Sequence, residues 1–366
     1  MKARVLILHH NFPAQFRFIA LDLAASGHDV VFLSECNYVG TLEGIRQVSV
    51  QQYKIKVEST LDGQLGCADR FRHAMESIRD EGWYPDVVIS HSGWGCGLEV
   101  SWVFPNAKRF SYLEWWFRND AEDYNFDPGN KWWDYNDNMR FKLRRRNLTL
   151  AMELSEAHHI ITPTRWQQSQ LPVVLQRQCE VIHEGVDTSS LFMNTAWRPK
   201  NKIRLTYATR GMEPMRAFPE FVQALPPLLE RLPETEVVIA GDDRVAYGAN
   251  KPEEGSFGRW ARRQLAPWVE SGSIRFVGHL PFANYARLLK SSHVHCYLTR
   301  PFVASWSLLD AMASGCCIVA SDLEVVREIA DPAATAWVDH RRQYDQVIHF
   351  LCRPEVCQTK SCLKSQ

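Results

Sequence analysis

The chain has 366 residues, 45% of them hydrophobic, and its 42 basic side chains are matched by 42 acidic ones, for a formal net charge of zero. That length sets a prior of two domains of roughly 150 residues each, the composition excludes wholesale disorder, and the balanced charge gives no support to nucleic-acid binding. The apolar run at residues 5–8 is too short for a signal peptide, and nothing approaches the ~18 apolar residues of a membrane span, so the expectation is a cytoplasmic protein with its ten cysteines reduced.

In chain order, residues 4–8 read as a strand, His9–Pro13 as a break, residues 16–26 as a helix with Gly27 in the C-cap position, and residues 29–33 as a second strand. This strand–helix–strand unit builds parallel sheets. Residues 40–66 leave room for one or two strands. Residues 85–90 form a further strand ending in the turn His91–Gly95, and residues 109–113 another. The aromatic, polar stretch 114–137 lacks periodicity and suits a lid or acceptor surface. A long helix near 138–157 follows, then a strand at 159–162 and a helix at 165–170, capped by Thr164 and stopped by Pro172. Residues 188–202 read as a linker. Strands at 203–207, 236–240, 274–277, 294–298 and 318–321 then alternate with helices near 218–231, 284–291, 305–313 and 323–329.

Ligands of such sheets sit beyond the carboxyl ends of the strands, which directs attention to the loops there. Arg210 and Arg216 flank the loop after one strand and place two fixed positive charges suited to a diphosphate; the alternative is that they are solvated or paired with Glu213 or Glu220. Ser305 or Ser307 can cap a helix whose free amides would face an anion, and Asp310 on the same helix can accept from ribose hydroxyls or be a plain surface acid. His91 follows a strand and can hydrogen-bond a substrate hydroxyl. Glu114 and Glu184 also follow strands; Asn11, Glu114 and Trp115 are the candidates on the acceptor side. The pairs His9–His10 and His158–His159 have no metal-ligand spacing, and Cys352, Cys357 and Cys362 lie too far apart for a typical zinc site, so no metal or cofactor is expected. There is no Gly-x-Gly-x-x-Gly, no phosphate loop and no serine-hydrolase elbow. Trp132–Trp133, Phe141 and Arg144–Arg146 form a mixture suited to an anionic membrane surface, or simply a basic helix face beside an aromatic cluster.

Several segments together resemble the retaining family-four glycosyltransferases of the GT-B fold: Ile182–Asp187, the Arg210–Arg216 loop with Phe218–Phe221, Val238–Asp242, Val277–Gly278 and Leu308–Gly315, with Asn11–Arg17 and His91–Gly95 as amino-terminal counterparts. The resemblance implies an α/β protein of two Rossmann-like, doubly wound domains facing across a cleft: an acceptor domain over 1–187 and, after the linker, a donor domain over 203–335. It implies retaining, metal-independent transfer from a nucleotide-sugar to a hydroxyl of a glycan, lipid-linked or small-molecule acceptor. Arg210 and Arg216 match the family's basic pair at the donor diphosphate, and Asp310 matches the second acid of its Glu–seven residues–Glu motif. His91 matches the histidine near the donor sugar, and Gly241, Ser305, Trp306 and Ser307 complete the donor side. Phe302 stands where the first acid belongs, the basic pair is spaced more widely than usual, and the likeness fades after about residue 329, leaving 336–366 as an atypical tail. The Phe302 departure keeps a second class in view, a degenerate relative that binds nucleotide or glycan without transfer. A nucleotide-sugar epimerase is a more distant third.

Overall fold

The computed structural model describes residues 2–36, 42–50, 60–118, 120, 122–133, 136–192, 198–199, 201–247, 250–303 and 305–339. The tail cysteines 352, 357 and 362 and residues 193–197 and 200 of the 188–202 linker lie outside these, while Thr188–Leu191 in that stretch forms a short helix. The chain divides into two compact units, 1–120 with 136–184, and 121–135 with 185 onward.

The first unit holds a seven-stranded parallel sheet, β1 (Arg4–His9), β2 (Asp29–Ser34), β3 (Ile45–Ser49), β4 (Val87–His91), β5 (Lys108–Tyr112), β6 (His159–Thr162) and β7 (Cys179–Val181), in the order β3-β2-β1-β4-β5-β6-β7. Alternate residues of β1 serve opposite faces. Leu6 and Leu8 pack with Val31, Leu33, Phe71 and Met75, whereas Val5 and Ile7 pack with Val30, Phe32, Phe16 and Ala20. Burial on both faces explains why β1 and β2 are nearly continuous apolar runs. The helix Arg17–Ala25 ends at Gly27, whose φ of +85° closes the turn at a position costly for a side chain. A 21-residue helix, Thr60–Asp80, adds to the elements expected from sequence; its buried residues Gln64, Cys67, Ala68, Phe71, Met75 and Ile78 follow helical spacing. The long helix is Asp137–Glu156, capped by Asn136, and Thr164 caps Arg165–Ser169 as expected.

The second unit holds a six-stranded parallel sheet, β8 (Ile203–Gly211), β9 (Thr235–Asp242), β10 (Ile274–Gly278), β11 (Val294–Tyr297), β12 (Cys317–Ser321) and β13 (Thr335–Val338), ordered β10-β9-β8-β11-β12-β13. The helix Phe218–Arg231 covers one face, setting Phe218, Phe221, Val222 and Leu225 against Leu205, Tyr207, Val237 and Ile239. Two further helices, Phe257–Gln264 and Ala266–Glu270, and the edge strand β13 extend this unit beyond the sequence expectation. With β13, the sheet runs past residue 335.

Residues 121–135 amend the picture of a single domain over 1–187. This stretch belongs to the second unit, where the buried Arg300 donates from Nε to the Asp123 carbonyl at 2.7 Å and lies 4.7 Å over the Trp133 ring. Asn130 donates to Glu220 Oε1 at 3.0 Å, and Trp132 packs edge-on to Phe257 and Trp260. Trp132 and Trp133 are therefore core residues of this unit and are not part of the exposed basic patch expected with Phe141 and Arg144–Arg146.

Candidate active site

Both sheets start in the middle, wind outward in one direction and then restart on the other side. The order reverses at β1/β4 in the first unit and at β8/β11 in the second. At such a switch point the loops diverge and leave a crevice at the carboxyl ends of the strands. His91 ends β4 and Arg210 lies near the end of β8, each at its unit's switch point, while other candidates follow neighbouring strands.

In the second unit, β8 ends at Gly211 and leads into Met212–Ala217. Arg216, partly buried, donates from Nη1 to Thr299 Oγ1 at 3.1 Å, and its guanidinium lies 6.0 Å over the Phe302 ring. Thr299 follows β11 and is itself fixed by its amide donating to Ser321 Oγ. Arg210 is exposed at the end of β8. Glu213 does not pair with either arginine through a hydrogen bond; its Oε2 accepts from the amides of Ala246 and Tyr247 at 2.6 and 2.8 Å and so holds the loop after β9. Burial raises its carboxyl pKa, and those amides partly offset the rise. Glu220 pairs with Asn130, so neither acid neutralises the arginines by direct contact.

Gly241 is required by geometry. Its φ is +134°, and a Cβ there would stand 2.1 Å from the Thr209 carbonyl oxygen. Ser305 caps the helix Trp306–Ala313, accepting from the Ser307 amide at 3.3 Å, with the two hydroxyls 3.0 Å apart. Trp306 is exposed. Asp310 is partly buried and hydrogen-bonded by Tyr285; burial lifts its pKa to about 6, with Asp187 adding to the rise. Phe302 is buried and sits edge-on to Tyr247 at 5.1 Å. An aromatic face thus occupies the position read in the sequence as that of a missing acid.

In the first unit, His91 ends β4 and is 2% exposed. Its Nδ1 lies 3.0 Å from the Ser92 carbonyl, which can only accept, so Nδ1 carries a proton. Its Nε2 is buried without a hydrogen-bond partner, and Glu114 Oε2 approaches to 3.6 Å. His9, across the switch point, sits 4.5 Å from His91 ring to ring. The Asn11 amide donates to His9 Nδ1 at 2.8 Å, leaving His9 Nε2 to donate to Gln15 Oε1 at 2.9 Å. Burial, and then His91, pull the His9 imidazole well below its ordinary pKa. Asn11 contributes through its backbone, while its side chain is exposed. Trp115 packs against Trp166 at 5.3 Å, and Glu184 accepts a short hydrogen bond from the Tyr112 hydroxyl.

Behind His91 is a residue that sequence reading missed. Glu153, on the long helix, is buried; its Oε1 accepts from Ser90 Oγ at 2.6 Å, and burial pushes its carboxyl up to about 7. Its signal is a lone acid at a buried helical position, visible only once the helix face is known. Asn147, on the same helix, is also buried, bonding both the amide and the carbonyl of Phe117.

Two doubly wound parallel units of this kind are the architecture of GT-B glycosyltransferases. The chain matches sucrose-phosphate synthase from Thermosynechococcus elongatus with a TM-score of 0.74 and 14% identity, over 98% of this chain and 92% of that one. It matches Anabaena HepE, solved with UDP and glucose, with a TM-score of 0.66 and 11% identity, over 96% and 89%. At these identities the likeness shows the fold. In sequence, residues 26–191 match the model of the glycosyl transferase family 4 group, and residues 202–351 that of the glycosyl transferases group 1. The chain belongs to the family-four, group-1 type of glycosyltransferases. The second match continues beyond residue 329, correcting the expectation that family likeness stops there. A phosphatidyl-myo-inositol mannosyltransferase from Mycobacterium tuberculosis is 28% identical over 172 residues, 45% of this chain and 39% of that relative's length. The match thus spans about two-fifths of that relative.

Proposed function

We propose that the protein is a retaining glycosyltransferase that takes a sugar from a nucleotide-sugar and moves it to an acceptor hydroxyl. The observation that carries this reading is the β8/β11 switch point of the second unit. There Arg216 is braced by Thr299, a glycine lets the backbone of the β9 end approach closely, and a serine-capped helix start offers amides. Such a set can hold a nucleoside diphosphate and stabilise its charge as it leaves. Arg216 and Arg210 are assigned to the diphosphate, Ser305, Trp306 and Ser307 with Gly241 to the remainder of the donor, and Asp310 to the ribose hydroxyls.

The acceptor is assigned to the first unit, with Asn11, Glu114 and Trp115 on its side. His91, whose Nε2 makes no hydrogen bond and faces Glu114 at 3.6 Å, is assigned to a hydroxyl of the transferring sugar. The acceptor oxygen attacks the anomeric carbon on the face from which the diphosphate departs, and the departing phosphate takes the acceptor proton. The new C–O bond replaces the old one with the configuration kept, and no step calls on a metal.

A lipid-linked acceptor is the preferred class. An open groove of about 820 Å³ in the first unit is lined by Trp116, Phe117, Phe141, Arg144, Arg145 and Leu148, an apolar floor with cationic rims. The mannosyltransferase relative, by its name, acts on a phosphoinositide lipid.

Phe302 favours the second reading, a relative that binds nucleotide but does not transfer, because it removes a carboxylate from the neighbourhood of Arg216. Thermal unfolding in the presence of UDP, GDP, ADP and their sugar conjugates tests the proposal, since a ligand of the native state raises Tm. One nucleotide is expected to raise the wild-type Tm and to leave Arg216→Ala unmoved. If none shifts the folded wild type, the donor assignment is wrong. If the diphosphate binds but none of its sugar conjugates yields product or free sugar, the second reading replaces the first.

A further inference from the structure

Away from the diphosphate side, three side chains with metal-binding atoms, His10, Glu35 and Cys67, meet at the carboxyl ends of the first sheet, and a second thiol, Cys96, lies against Cys67. His10 directly follows β1 and Glu35 directly follows β2; the Glu35 amide donates to the His10 carbonyl, so the two strands stay paired to this point. Cys67 comes from the helix Thr60–Asp80, and Cys96 from the turn after β4. His10 Nδ1 is 3.0 Å from Glu35 Oε2, and the ligand atoms of His10, Glu35 and Cys67 all lie within 4.8 Å of one another. Cys67 Sγ is 3.8 Å from Cys96 Sγ, and both residues are buried.

We infer that His10, Glu35 and Cys67 form a binding site for one zinc-class divalent ion that fastens the ends of β1 and β2 to the helix, with the fourth position left to solvent. Imidazole, carboxylate and thiolate together are the donor set of borderline-soft ions, zinc above all. Bonds of about 2.0 Å from tetrahedral zinc to nitrogen and oxygen separate those atoms by about 3.3 Å, and the His10–Glu35 pair stands slightly inside that spacing.

The surroundings fit as well. Arg70 holds the other carboxylate oxygen, Glu35 Oε1, from Nε at 2.7 Å, which orients Oε2 toward His10 as an outer-shell partner does. A divalent ion and one guanidinium face one carboxylate and one thiolate, with His10 neutral, so most of the charge in the cluster is offset. Binding releases the Cys67 thiol proton, and that of the imidazole where it is charged, to solvent. Trp94 stacks on the His10 ring at 5.0 Å and shields one side. The ligands come from three separate segments, so no sequence spacing reveals them.

The test uses the full chain, reduced with a phosphine, stripped by chelator and titrated with Zn²⁺ against a chromogenic competitor, and with Co²⁺ as a spectroscopic probe. One equivalent is expected, with thiolate-to-cobalt charge transfer in the near ultraviolet, intense tetrahedral visible bands, and a rise in Tm on adding Zn²⁺. Cys67→Ser should abolish the charge-transfer band and the Tm rise. His10→Gln, at a half-exposed position, carries the same loss should serine at 67 disturb packing. A Cys352→Ser, Cys357→Ser, Cys362→Ser control should retain all three signals. Wild type that takes up no ion, or uptake that survives Cys67→Ser and His10→Gln unchanged, overturns the site.

Discussion

Arg216 and Glu153 show how much a neighbour decides about a single residue. Both are charged side chains that a sequence records as equals of many others. Arg216 is braced by Thr299 and, among the described residues, hydrogen-bonds no carboxylate, a positive charge set to meet an anion. Removing one preorganised charge-stabilising donor costs about 100- to 1,000-fold in turnover. Arg216→Ala should therefore lower kcat by that order while its unfolding midpoint stays near wild type; steady-state kinetics on folded protein checks this, and wild-type turnover refutes the role. Glu153 is the reverse case, an acid placed where its charge is disfavoured. Its native pKa of about 7 lies above the ordinary carboxylate value, so the native state retains a proton that the unfolded chain releases. Stability is thus full below the ordinary value near 4.5 and falls as pH rises through about 7. Glu153→Gln should remove that decline and make the protein about 1–3 kcal/mol more stable than wild type at pH 8. Urea unfolding at pH 5 and pH 8 measures it, and parallel pH profiles for the two proteins would exclude the account. His91 was legible as a candidate from its place after a strand. The bond that its Nδ1 makes was not, because the Ser92 carbonyl is placed by the turn.

At the scale of elements, strands were the most legible because both sheets are parallel and buried on both faces, which writes them as apolar runs. The helix Phe218–Arg231 was equally plain, as its apolar residues keep one face. Thr60–Asp80 was hidden by its glycines and by the charged residues of its exposed side. The element that sequence reading placed least well is 121–135. It lacks periodicity because its order comes from Arg300, Glu220 and the core around Phe257, all far along the chain. Burial lowers the Arg300 guanidinium to about 10 and raises the Asp123 carboxyl to about 7, and Arg300 docks the segment by donating to the Asp123 and Tyr124 backbone carbonyls. A hydrogen bond to a charged group contributes about 1.5–3 kcal/mol. Arg300→Met should lower the unfolding free energy by that amount and open 122–133 to limited proteolysis. A midpoint equal to wild type, with the segment still protected, would show that Trp132 and Trp133 hold it alone.

For the whole molecule, among the described residues no helix is long and apolar enough to cross a membrane, so membrane contact would be made by a surface. The first unit has one suited to it. Phe141 is 64% exposed and Leu148 56%, and Arg144 and Arg145 are exposed on the same helix. Apolar contact and attraction to anionic lipid add together, the charge contribution at about 1 kcal/mol per arginine near the surface. The chain should co-sediment with phosphatidylglycerol vesicles but not with phosphatidylcholine vesicles. Arg144→Glu with Arg145→Glu should release it, and high salt should weaken it. Equal recovery with both lipids, or none with either, would speak against this surface.

The sequence by itself determined the class of fold and the family, because strand–helix alternation and short glycine- and acid-bearing motifs are local patterns that survive without their neighbours. It also brought out Arg210, Arg216, Asp310 and His91, since each follows a strand or a helix cap and such positions are read from a few adjacent residues. Only the tertiary structure decided which of these are braced and which exposed, that Phe302 fills a place beside Arg216, that 121–135 joins the second unit, and that His10, Glu35 and Cys67 converge. Each of those depends on residues dozens to hundreds of positions apart meeting through strand order and helix packing, and no periodicity in a single chain records such a meeting.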